Sequence, residues 1–157
     1  MNIDDRQRAK LRTAITSLEY WIPSISDAAW ISQTNCDDYW RINVEPHIEG
    51  PCPFEIVIRT DGFHDIVIAG EAFEDQTTDD LDLFVPFAEA IASGNVIRRI
   101  YSTSDTRMPV AIETIVNMAG GKSWHRRREL VSGFNGPVHH EAIAHDHAFL
   151  PYKRNPT

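Results

Sequence analysis

Apolar positions along this chain recur with two different periods. Leu11, Ile15, Leu18 and Ile22 stand four, three and four residues apart, the spacing of one helix face. Asp4 and Asp5 lie where a helix dipole favours anions, and Pro23 ends the pattern, so a helix is expected over residues 4–21. Residues 23–37 read as a connecting segment anchored by Trp30 and Ile31. From Asp38 to Glu45 the period changes to two: Trp40, Ile42 and Val44 alternate with Tyr39 and Arg41, as in a half-buried strand. Pro46, Gly50, Pro51 and Pro53 mark a loop. FEIVIRT and FHDIVIAG follow, joined by Asp61-Gly62, which reads as a hairpin with a type I′ turn.

EAFEDQTTDDLD carries six acids and leads into a second helix, with Thr78 or Asp79 as N-cap. Leu83, Phe84, Phe87, Ala88 and Ile91 give its apolar face, and Gly94 fits the position just past its end. Pro86 requires either a kink or a regular helix that starts near it. Three further strands are expected: residues 96–104, then 110–118 beyond the turn at 104–107, then SWHRRREL beyond Gly120-Gly121. The order is therefore α-βββ-α-βββ: an α+β fold with one curved antiparallel sheet and two helices on one face. Residues 1–132 form this single domain, and 133–157 an irregular His-rich tail in which 138–147 form a short helix or nothing regular. The expected core comprises Ile15, Leu18, Trp40, Ile42, Ile56, Ile58, Val67, Phe84, Phe87, Ile91, Val110, Ile112 and Val116.

In element order, size and acidity, over roughly residues 4–130, the chain resembles type III secretion chaperones. The resemblance carries no residue motif. It implies a small acidic α/β homodimer that holds an extended segment of another protein. The chain departs from that pattern in lacking a clear amphipathic C-terminal helix.

Composition narrows the function classes. With 157 residues, 42% of them hydrophobic and 24% charged, the chain has material for a proper core. A net charge of -8 opposes direct binding to nucleic acid or to an anionic membrane, because both rest on Lys and Arg. The same acidity suits solubility, a basic protein partner or mimicry of nucleic acid. Cys36 and Cys52 form neither a CxxC pair nor a disulfide framework. The polar start MNIDDRQRAK is not a signal peptide, and no apolar run reaches membrane-spanning length, so a cytoplasmic location is expected.

Three segments could carry chemistry. His139, His140, His145 and His147 lie within nine residues, with Glu141 and Asp146 among them. Imidazole is the commonest metal ligand, so His145 and His147, with His140 or Glu141, are the candidate ligands for a divalent ion such as zinc. Glu71, Glu74 and Asp75 could hold a cation or an acid/base pair, but no EF-hand pattern is present. Arg98, Arg99, Arg126 and Arg128 are candidate ligand- or partner-binding residues on neighbouring strands. Alternation places Arg126 and Arg128 on one face and Arg127 on the other. Either the acids at Glu71, Glu74 and Asp75 neutralise this stripe, or an acidic ligand does.

No GxSxG, GxGxxG or Walker A motif is present. The leading reading is a non-enzymatic, acidic protein-binding domain without a cofactor, homodimeric or joined to another protein, that binds through a strand edge or a free sheet face. Its alternatives are a small metal-dependent enzyme built on the C-terminal histidines and an acidic inhibitor occupying a nucleic-acid-binding site on another protein.

Overall fold

The computed structural model of the protein describes residues 5–77, 81–130 and 142–153. Helix α1 runs Asp5–Trp21, and Pro23 stands in the short 3-10 turn Ile22–Ser24 that ends it. Five strands follow: β1 (Ala29–Asn35), β2 (Tyr39–Pro46), β3 (Phe54–Arg59), β4 (Phe63–Ile68) and β5 (Glu71–Thr77). After a 3-10 turn at Leu81–Leu83 comes α2 (Phe84–Ala92), then β6 (Val96–Thr103), β7 (Pro109–Asn117), β8 (Ser123–Glu129) and β9 (Ala142–Ala148). The expected α+β class holds. The single sheet does not: β1 to β5 form one antiparallel meander, and a second antiparallel sheet has the order β8-β7-β6-β9. No helix of the described residues is long and apolar enough to cross a membrane.

The strand alternation read from the sequence sets the inner face of the first sheet. Trp40, Ile42 and Val44 oppose Phe54, Ile56 and Ile58, which oppose His64, Ile66 and Ile68. Both helices cover this face: Trp21 of α1 packs 6.3 Å from Phe54, and Phe84 of α2 meets His64 edge-on. The same hydrophobic cluster continues into the second sheet through Val96, Val116 and Trp124. Each fully buried Ile or Val here stabilises by about 1.5–3 kcal/mol. Most of the expected core residues are buried, but Val67 faces outward at 37% exposure, because it alternates with Ile66 and Ile68.

Local chemistry explains the punctuation. Pro86 lies in the first turn of α2, where a missing N–H does no harm. At the other end Gly94 has φ +83°; its N–H bonds the Ile91 carbonyl and that of Asn95 bonds the Ala90 carbonyl, a Schellman cap. The β3–β4 turn differs from expectation. Only Gly62 has positive φ, not Asp61, and the Gly62 N–H bonds the Arg59 carbonyl. This is a three-residue loop closed by a glycine rather than a type I′ turn, with Asp61 Oδ1 accepting the Phe63 N–H at 3.0 Å.

Three strands are not announced by the local sequence. β1 occupies the expected connecting segment, β5 the acidic stretch, and β9 the expected irregular tail. β5 carries a bulge: two residues, Glu74 and Asp75, oppose Asp65 alone, and the Asp75 N–H is taken by Asp65 Oδ1 at 2.8 Å. β9 pairs with β6 from Ile97↔Ala148 to Thr103↔Ala142. The chain beyond it stays bound: Leu150 N–H reaches the Gly50 carbonyl, Tyr152 N–H the Ala92 carbonyl, and the buried Tyr152 hydroxyl the Cys52 carbonyl. The expected caps Thr78 and Asp79 and the residues His139, His140 and Glu141 lie outside the described residues.

Candidate functional site

The four candidate arginines divide between the two faces of the second sheet. Arg98, Thr114 and Arg126 form one cross-strand row over β6, β7 and β8, and Arg128 stands in the next row beside Ile112. These three arginines point towards β5 of the first sheet. Arg99 and Arg127 point the opposite way, in register with Glu113.

On the inner face the described residues of the acidic stretch supply a single carboxylate, Glu71, which is 4% exposed. Arg128 Nε and Nη2 donate to its two oxygens at 2.5 and 2.9 Å, and Arg98 Nη2 lies 3.7 Å away. A bidentate charge-assisted pair is the arrangement that offsets the burial of a carboxylate. Of the three acids expected to neutralise the stripe, Glu71 pairs with Arg128, and it does so as a buried group. Among the described residues Arg126 has no carboxylate as a hydrogen-bond partner. Its Nε donates to Gln76 Oε1 and its Nη1 to the His125 carbonyl, both at 2.8 Å, and its guanidinium lies 4.8 Å from the centre of the Trp124 ring. Burial lowers its pKa. Arg98 Nε and Thr114 Oγ1 are both buried without a hydrogen-bond partner among the described residues. Asp75 joins a different group, with Asp61 and Asp65 around Arg59.

The outer face carries an alternating row: Asp146, Arg99, Glu113 and Arg127, one from each strand. Arg99 donates to both Asp146 oxygens at 2.7 and 3.0 Å, and Arg127 to Glu129 at 2.7 Å. Tyr101 Oη and His125 Nε2 each lie 2.6 Å from Glu113. Burial by itself would raise the Glu113 carboxyl; the Tyr101 and His125 hydrogen bonds outweigh it and hold the group below its usual range. The hydrogen bond to Glu113, aided by burial, raises Tyr101. Sequence reading missed this group, because Tyr101, Glu113 and His125 come from three strands and share no local motif. An imidazole held by a carboxylate suits proton transfer. Among the described residues, however, no hydrogen bond joins His125 to a hydroxyl or thiol that it could activate.

His145 and His147 share the other face of β9, opposite Ile100 and Arg98, and both are exposed. His147 packs edge-on against Phe149 at 4.8 Å. Among the described residues no group of three His, Cys, Asp or Glu is placed to hold a metal ion. The thiols are free: Cys36 is exposed, and Cys52 is buried, its pKa pushed up to about 12 by loss of solvent.

The remaining feature is an edge. β1, with the sequence AWISQTN, pairs only with β2 among the described strands. The bonds Cys36 N–H to the Tyr39 carbonyl and His47 N–H to the Ala28 carbonyl fix the ladder phase. Trp30, Ser32 and Thr34 therefore bond β2, while the backbone groups of Ala29, Ile31, Gln33 and Asn35 point to the open side. Next to this edge, the outer face of the first sheet carries a groove of about 560 Å³ lined by Tyr39, Arg41, Glu55, Val57 and Arg59. Comparison with family models, with curated proteins and with solved structures gives no match.

Proposed function

We propose that the protein is a non-enzymatic, cytoplasmic binding domain that takes up an extended segment of a partner protein as an added strand beside β1. The observation that carries this reading is the chemistry of the edge. Exposed edge strands are normally guarded by charge, proline, a bulge or a cover. β5 has acids and a bulge and packs on the second sheet; β8 carries Arg126, Arg127 and Arg128; β9 carries His145, Asp146 and His147. β1 has no charged residue, no proline and no break in register over its seven residues. Main-chain bonds from an added strand supply affinity, and neighbouring side chains select the sequence. Trp30, 66% exposed and edge-on to His47 at 4.5 Å, stands on the outer face at one end of the strand. The charge of -8 favours a basic segment.

The test separates the open edge from the ladder. Gln33→Pro removes an open-edge N–H and keeps every β1–β2 bond, so the melting temperature should hold while capture of the partner by the tagged protein is lost. Thr34→Pro removes a ladder donor and should destabilise instead. Light scattering on the same variants distinguishes a second copy of this chain from a different partner. Capture that survives Gln33→Pro in a folded protein refutes strand addition at this edge.

A further inference from the structure

We propose that the inner face of the second sheet, at Arg98, Thr114, Arg126 and Arg128, binds a doubly charged oxyanion, a phosphate, either free or as the ester of a small molecule. Charge balance is the first argument. Three guanidinium groups face one carboxylate, Glu71, which leaves two positive charges uncompensated among the described residues. Glu74 and Asp75 do not make up the difference: Asp75 pairs with Arg59, and no ion pair joins either acid to these three arginines. The other polar side chains nearby, Gln76, His64 and His147, bring no negative charge. A carboxylate ligand would cancel half of the excess; a phosphate dianion cancels all of it.

Hydrogen-bonding capacity is the second argument. Thr114 is 1% exposed and lies between Arg98 and Arg126 in one cross-strand row. Its hydroxyl and the neighbouring Arg98 Nε both lack hydrogen-bond partners among the described residues. Two unsatisfied buried polar atoms side by side in a sheet core are costly, and a tetrahedral oxyanion is the acceptor that serves a hydroxyl and several guanidinium N–H groups together. Arg126 is bonded to neutral acceptors and stacked on Trp124, so its charge meets no carboxylate among the described residues. Solvent reaches the cluster at Arg98 and Arg128, whose side chains are 33% and 51% exposed. This site is independent of the β1 edge, which lies in the other sheet.

The experiment is calorimetric titration of the full chain at neutral pH and constant ionic strength, with inorganic phosphate, glycerol phosphate, sulfate and acetate. Phosphate and sulfate should bind saturably at one site per chain, and acetate should not. Tighter binding of glycerol phosphate than of inorganic phosphate shows that the site takes an ester; the reverse order shows that it takes the free ion. Thr114→Val and Arg126→Gln should each weaken phosphate by about tenfold or more. Arg99→Gln, on the opposite face, should leave it unchanged. Thr114→Val also guards against a folding artefact: replacing an unpartnered buried hydroxyl by a methyl should hold or raise the melting temperature without phosphate. No saturable phosphate heat, acetate equal to phosphate, or unaltered binding in a folded Thr114→Val protein overturns the proposal.

Discussion

Acid should weaken the fold through His64. Its ring sits in β4 at 6% exposure, edge-on to Phe84 at 5.0 Å. Burial first, and then the charge of Arg126, push its pKa down from 6.5 to about 4, against a smaller opposite effect of Asp65. Between those values the unfolded chain binds a proton that the folded chain refuses. Stability is therefore complete above the unfolded value and is lost as pH falls through this window, with no further loss from this residue below about 4. At about 1.4 kcal/mol per pH unit, the whole window amounts to about 3 kcal/mol. The assay is urea unfolding of the wild type and His64→Gln at several pH values across the window. The glutamine does not titrate, so the variant should lack this share of the acid sensitivity, whatever its stability at neutral pH. Equal losses in both proteins would refute the argument, as would a His64 ring titrating near 6.5 by NMR in the folded wild type.

Three further substitutions test the packing. Ile42→Ala, at a position with no exposed surface, should cost about 2–5 kcal/mol in chemical denaturation. Gly94→Ala should lower the melting temperature, because φ is +83° and the new Cβ would lie 2.7 Å from the Pro151 nitrogen; the backbone conformation alone costs about 1–2 kcal/mol. Tyr152→Phe removes a buried hydroxyl that bonds the Cys52 carbonyl and should destabilise by about 1–3 kcal/mol in the same unfolding assay.

The elements visible in the sequence are those whose own side chains declare a period. Leu11, Leu18, Trp40, Ile42, Ile56, Ile58 and Val116 each sit where a local pattern places them. The missed strands owe their state to distant partners. In β5, Glu71 and Phe73 face Arg128 and Trp124, more than fifty residues away, so a strand with a buried acid reads locally as helix-terminal charge. β9, AIAHDHA, is held by the ladder to β6 and by the Arg99 bonds to Asp146, neither of which is visible in a run of histidines. β1 presents one exposed tryptophan, one half-buried isoleucine and otherwise small or polar residues, too little contrast to signal alternation. The arginine stripe was legible as a charge pattern. Its split between two faces follows from strand alternation, but its depth follows from the packing of β5 across it, which is a tertiary fact.

The order β8-β7-β6-β9 also has a bearing on biosynthesis. β6 is finished at Thr103, and the strand that covers its far side begins at Ala142, 39 residues later. At about 5–20 residues per second, a ribosome takes roughly 2–8 s to cross that interval. Over that interval β7 and β8 are added to β6, and the far side of VIRRIYST stays an uncovered margin throughout. The adjacent Arg98 and Arg99 provide like-charge repulsion between neighbouring nascent chains at that margin, until Asp146 arrives to neutralise Arg99 and β9 closes the ladder.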